Sequence, residues 1–166
     1  MPWYEEVKDA LKATGVDYIT YLPDSALWPL IKSIKEDDFF DVYLVTREEE
    51  AVGIVSGAWL GDRKPALICQ TSGLANTINA LGGVNKPWGI PFLGIVSRRG
   101  AVGEHNLAQV PAGYAMPRIL DEIGIRNHLL DETQDVEQVV TMSADSAFST
   151  EEPHILLLEK TLYGGK

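Results

Sequence analysis

The sequence has little of several things, and each shortage narrows what it can do. There is one cysteine, Cys69, in 166 residues, so no disulfide can close within the chain and a reducing, cytoplasmic setting is expected. No run approaches the roughly 18 apolar residues that a membrane span needs. No basic start is followed by an early apolar stretch, so no signal peptide is expected. Basic residues are few: 14 Lys and Arg stand against 24 Asp and Glu, a formal net charge of -10. That balance argues against nucleic acid and anionic membranes as partners, since both are bound by clustered Lys and Arg. An anionic small molecule in a locally basic pocket stays open. No His, Cys and Asp set has metal-ligand spacing, so no metal site is expected on this chain. A Gly-x-Ser-x-Gly elbow, a Walker loop and a dinucleotide fingerprint are also missing.

What is present is ordinary for a globular protein. Hydrophobic residues make up 45% and charged residues 23%, which excludes disorder as the main state and, at this length, predicts one domain over 1–166. Apolar spacing alternates between two periods. Helices are expected at 3–13, 25–35, 47–60, 74–84, 115–123 and 136–147. Strands are expected at 16–22, 41–45, 66–69, 91–97, 126–130 and 154–159, with a polar, Gly-bearing loop over 98–111 and a tail at 161–166. Strands alternating with helices predict an α/β protein, a three-layer α/β/α sandwich on a mainly parallel sheet. Ligands of such sheets bind at the carboxyl ends of the strands. The turns Pro23-Asp24-Ser25, Thr46-Arg47-Glu48 and Gln70-Thr71-Ser72-Gly73 and the 97–109 segment all follow strands and should meet there. The 47–60 helix is apolar nearly all round, more than one sheet face can cover, and Trp88 follows another apolar helix, so subunit contacts are expected.

Within the Arg47-Glu48-Glu49-Glu50 run, Thr46 and Glu49 have the spacing of a capping box, and acids suit a helix start. Glu48 differs. On helical spacing it shares a face with Ala51, Val52, Val55 and Trp59. A carboxylate on that face is costly without a partner, which makes it a candidate to share a proton with a ligand nitrogen; the plain alternative is a cap. The Thr71-to-Asn76 turn is small enough for a ligand to approach the backbone, or is simply a tight turn. Arg98 and Arg99 are candidates for an anionic group, or solvated surface arginines. His105 beside Glu104 is a candidate acid–base pair, or an inert loop histidine. His128, His154 and Cys69 read as structural.

Four segments together resemble a known family. They are Leu22-Pro23-Asp24-Ser25 with Pro29-Leu30; Thr46-Arg47-Glu48-Glu49 through Gly53 to Ser56-Gly57-Ala58; Gln70 through Asn76; and Ser97-Arg98-Arg99-Gly100 with Gly103-Glu104 and Gln109. In order and spacing they resemble the pyrimidine-binding domain of thiamine diphosphate-dependent 2-oxoacid decarboxylases, in the group acting on sulfopyruvate and phosphonopyruvate. The likeness runs from the first strand to the last. It implies that fold and a thiamine diphosphate cofactor. It also implies that the acid nine positions before Gly57, Glu48, bonds the aminopyrimidine ring and favours its proton-accepting tautomer. By the same resemblance Pro23, Thr71, Ser72, Gly73 and Asn76 lie beside the cofactor. Asp24, Ser25, Gln70, Arg98 and His105 then face an anionic 2-oxoacid substrate.

The family's Gly-Asp-Gly…Asn motif for magnesium and diphosphate has no match; Gly61-Asp62-Arg63 lacks the second glycine and the distant Asn. The resemblance therefore implies a beta subunit that carries the diphosphate-binding domain and most of the Mg2+ contacts. The expected assembly is a hetero-oligomer, or a homo-oligomer when the chain is expressed alone. The expected reaction is sulfopyruvate to sulfoacetaldehyde and CO2, as in coenzyme M biosynthesis, with phosphonopyruvate as the alternative substrate. Two readings of other classes stand beside it: a non-catalytic regulatory module and a nucleotide binder of the same general fold.

Overall fold

The computed structural model describes residues 1–164. The chain runs α1 (Trp3–Thr14), β1 (Tyr18–Tyr21), α2 (Trp28–Lys35), β2 (Asp41–Leu44), α3 (Glu48–Leu60) and β3 (Pro65–Gln70). A broken helical stretch follows: α4 (Thr71–Asn76), α5 (Ile78–Ala80), a π-helical turn (Leu81–Asn85) and α6 (Lys86–Trp88). Then come β4 (Leu93–Ser97), α7 (Val110–Glu122), β5 (Arg126–Leu130), α8 (Val136–Thr150), β6 (His154–Leu158) and the short α9 (Lys160–Tyr163). The expected tail thus begins as a helical turn, and its last two residues, Gly165 and Lys166, lie outside the described residues.

The strands form one sheet in the order β2-β1-β3-β4-β6-β5, and all five pairings are parallel. Period-2 alternation splits each central strand between two cores. Ala66 and Ile68 pack with Val7, Leu11, Leu30, Ile31, Val140 and Ala144 of α1, α2 and α8. Leu67 and Cys69, one residue out of step, pack with Val52, Val55, Leu74 and Met116 of α3, α4 and α7. That double burial explains the unbroken apolar strands, each buried Leu or Ile contributing about 2 kcal/mol relative to exposure. α1 stops at Gly15, whose φ of 73° lets Val16 N–H reach back to Leu11 O at 2.9 Å and closes the helix.

Three local departures from the sequence pattern have physical causes. α2 begins at Trp28 rather than at residue 25, because the Asp24 carboxylate accepts from Ala26 N–H and Leu27 N–H at 3.0 Å each and holds a turn first. α3 is not capped by the Thr46–Glu49 box: its N-cap is Arg47, and Glu50 Oε2 reaches back to Thr46 N–H at 2.9 Å. α7 begins at Val110, earlier than expected, because Pro111 sits in the first turn, where its missing N–H costs nothing.

Candidate active site

The strand order reverses twice. β1 leads outward to β2 while β3 lies on its other side, and β4 leads past β6 to β5. Each reversal opens a notch at the carboxyl ends of the strands, the place where parallel sheets bind ligands.

At the β1–β3 notch, Glu48 is the first residue of α3 and is half-buried. Its carboxyl lies over Gly73 in the opening turn of α4: a Cβ at Gly73 would overlap the Glu48 carboxyl and Cγ. Glycine at 73 is what allows the acid to rest there. Among the described residues Glu48 has neither a salt bridge nor a side-chain hydrogen bond to protein. The buried Cys69 thiol at the end of β3 is pushed well above its ordinary value, first by burial and then by the charges of Glu48 and Asp24. The two carboxylates therefore share one electrostatic neighbourhood.

β3 passes into α4 without a loop, so Gln70 and Thr71 stand on the notch floor. Buried Thr71 is tied sideways: its Oγ1 accepts from Arg99 N–H, just beyond β4, at 3.0 Å. Gln109 Nε2 donates to Gln70 Oε1 at 3.3 Å. Ser72 Oγ and Gln109 Oε1 are buried with no hydrogen-bond partner among the described residues. Asn76 ends α4 and is exposed, as are Pro23 and Ser25. Asp24, by contrast, is buried and uses Oδ1 for its turn.

The arginines and the histidine are placed less as the pattern suggested. Arg98 forms a nearly buried ion pair with Glu159 and also donates to Gly113 O at 3.4 Å, so its charge is neutralised within the chain. Arg99 Nε donates to Glu104 Oε2 at 2.8 Å. Glu104 also accepts the backbone N–H of His105 and of Asn106 at 2.9 Å each. The Arg99 guanidinium, then the Asn106 N–H, hold the Glu104 carboxyl down at about 2. The Glu104–His105 acid–base pair does not form: Glu104 meets the His105 backbone and braces the loop. His105 is exposed and lines a cavity with Gly103, Glu132 and Lys160.

Two residues the pattern passed over also stand at this edge. Lys160 follows β6 and lines a small cavity together with Ser25. Tyr163 donates its hydroxyl to Arg98 O at 3.0 Å, and burial raises it to about 12. The signal for Lys160 was its place, a cation just past the carboxyl end of a central strand.

Known proteins resemble this chain in sequence and in fold. The family model described as "Thiamine pyrophosphate enzyme, N-terminal TPP binding domain" matches residues 3–125. The sulfopyruvate decarboxylase subunit alpha of Methanococcus maripaludis is 34% identical over 155 residues, 93% of this chain and 93% of that one. A sulfopyruvate decarboxylase of Methanosarcina acetivorans is 35% identical over 96% of this chain and 40% of its own length. A phosphonopyruvate decarboxylase of Streptomyces viridochromogenes is 35% identical over 68% of this chain and 28% of its own. Among solved structures, a 2-oxoglutarate:ferredoxin oxidoreductase from Magnetococcus marinus superposes with a TM-score of 0.75 over 98% of this chain and 29% of that one. At 15% identity that likeness speaks for the fold alone. On the family match and the relatives that span its length, the chain belongs to the thiamine pyrophosphate enzymes, in the family of the sulfopyruvate decarboxylase alpha subunits.

Proposed function

We propose that this chain is the alpha subunit of a split thiamine diphosphate decarboxylase that converts sulfopyruvate to sulfoacetaldehyde and CO2 in the cytoplasm. Its site is completed by a beta subunit in a hetero-oligomer. The observation that carries the reading is the half-buried, unpartnered Glu48 carboxyl resting on Gly73 at the β1–β3 notch. A carboxylate held there without a protein partner suits a ligand that offers it a ring nitrogen. The residues present fit the cofactor's aminopyrimidine. Glu48 would share a proton with it, Gly73 leaves the acid its place, and the orphaned Ser72 hydroxyl in the same turn is a free polar contact. When bound, the cofactor supplies the electron sink that lets CO2 leave. The chain's task is to hold one tautomer and to keep the notch dry, with Gln70 and Thr71 as its polar wall.

A partner is supported from two sides. Three relatives carry the name subunit alpha, and the Methanosarcina relative is more than twice as long. The magnesium and diphosphate are assigned to the beta subunit. The exposed side of α3, with Gly53 and Gly57 open and Leu60 73% exposed, offers surface for such a contact. Phosphonopyruvate is the second reading, carried by the Streptomyces relative.

The test is to purify the chain with its beta subunit and to measure CO2 release with thiamine diphosphate and magnesium. The complex is expected to act on sulfopyruvate, and Glu48→Gln to lower kcat/KM by about 10²–10⁴-fold with assembly intact, the range for a positioned proton-transfer group. Full activity in Glu48→Gln overturns the role of Glu48. Tight binding of a nucleotide by the single chain, with no decarboxylation by the complex, points instead to the nucleotide-binder reading.

A further inference from the structure

Three cations stand at the carboxyl edge beyond β4 and β6: Arg98, Arg99 and Lys160. Two are neutralised, Arg98 by Glu159 and Arg99 by Glu104. Lys160 is not. Its Nζ donates to Gly103 O, a neutral carbonyl, and among the described residues it meets no carboxylate. It is half-buried, so part of its hydration has been removed without a counter-charge in return. A cavity of about 270 Å³ opens beside it, lined also by Ser25, Pro29, Arg99 and Tyr163. Among the described residues no acid lines that cavity, whereas Glu132 lines the one on the other side of Lys160.

We infer that Lys160 binds the anionic tail of the substrate, in the cavity it shares with Ser25 and Arg99. This deepens the decarboxylase reading and rests on it. β6 lies two strand positions from β3 in the sheet, about 10 Å at parallel-strand spacing. The tail pocket is therefore near the Gly73–Glu48 notch and distinct from it. Lys160 presents a compact charge with rotatable donors, suited to the three oxygens of a sulfonate or a phosphonate, while Arg98 and Arg99 have their forks already filled. Ser25 lines the same cavity and can add a hydroxyl donor.

The experiment uses the complex of both subunits with cofactor and magnesium. Steady-state rates are measured on sulfopyruvate, phosphonopyruvate and pyruvate, which has no charged tail. Lys160→Gln is expected to raise KM for both tailed acids about 10–100-fold, the worth of one charge-assisted hydrogen bond. kcat and the rate on pyruvate should stay near wild type, and Lys160→Arg should restore most of the loss. An equal loss on pyruvate would mean that Lys160 merely holds the loop through Gly103, and no loss at all would mean that the tail binds elsewhere; either overturns the inference.

Calorimetry separates this failure from that of the parent reading. The non-reactive 2-hydroxy-3-sulfopropanoate should bind at least tenfold more tightly than lactate, and Lys160→Gln should abolish the preference. If the complex decarboxylates none of the three acids yet keeps this Lys160-dependent preference, the reaction is wrong and the anion pocket stands. If the preference is absent from the wild type, the pocket falls.

Discussion

The two notches of the sheet hold similar side chains put to opposite use. At the β4–β6 notch both arginines meet their opposites, Arg98 paired with Glu159 and the neighbouring Arg99 with Glu104, and Lys160 is the cation left over among the described residues there. At the β1–β3 notch, among the described residues, Glu48 lies against a glycine with no counter-ion, and buried Ser72 Oγ has no partner. Paired charges at the first hold loops in place. Unmatched groups at the second leave bonding capacity for something that is not protein. The contrast singles out the notch proposed for the chemistry more sharply than cavity size does. A cavity of about 440 Å³ is lined by Arg126, His128, Met142 and His154 beside the edge strand, away from both notches.

The contrast is broken most directly at Gly73. Replacing it with alanine places a Cβ where the Glu48 carboxyl lies, but what it meets is the end of a flexible side chain, which can swing away. The substitution also removes a glycine from a helix, a gain of up to about 1 kcal/mol. Gly73→Ala is therefore expected to leave urea stability within about 1 kcal/mol of wild type, while decarboxylation by the complex falls about 100-fold, toward the Glu48→Gln level. An active Gly73→Ala complex would show that the resting place of Glu48 is irrelevant to turnover.

This separation of fold from site also marks how far the sequence could be read. The parallel sheet and its two cores follow from periodicity, since doubly buried strands such as 66–69 and 91–97 leave little else possible. Glu48 was separable from Glu49 and Glu50 because it alone sat on the apolar face. The cap was misread by one position: Arg47, not Thr46, is the N-cap, so Glu50 rather than Glu49 reaches back. The state of the arginines was not legible. Arg98 and Glu159 are 61 residues apart and meet only because β4 and β6 pair. Lys160 was passed over because its lack of a counter-charge depends on where every acid of the edge ends up.

A weaker effect tests the paired notch. Arg98→Met leaves Glu159 nearly buried without its partner, and breaking such a pair costs about 3–5 kcal/mol when fully buried. Here about 2–3 kcal/mol is expected from urea denaturation, with much of it recovered when Glu159 is also changed to Met. The KM for sulfopyruvate in the folded complex should hold. A selective rise in KM without loss of stability would instead make Arg98 a substrate ligand, as the family resemblance implied.

The smallest effect is on pH, and it again divides the molecule. Glu104 titrates at about 2 in the fold against 4.5 ordinarily, owing first to Arg99 and then to the Asn106 N–H. A lowered carboxyl contributes stability that is complete above pH 4.5 and disappears as pH falls toward 2. At the amino ends of the strands, His154 is lowered from 6.5 to about 4, first by burial and then by the nearby charges of Arg126 and His128. Its contribution is complete above 6.5 and is lost as pH falls toward 4. Acid should therefore loosen the β5–β6 amino end first and the 98–109 loop only later. The amide shifts of Gly100, His105 and Asn106, whose N–H groups point at Glu104, are the probes for the loop. They should hold steady in NMR titration through pH 4.5 and move only as pH falls toward 2, where Glu104 is protonated in the fold, and Glu104→Gln should abolish that step while leaving the His154 transition untouched. Loop amides that move together with those of His154 as pH falls toward 4 would mean that the edge opens as a unit, and that the braces around Arg99 are weaker than their geometry implies.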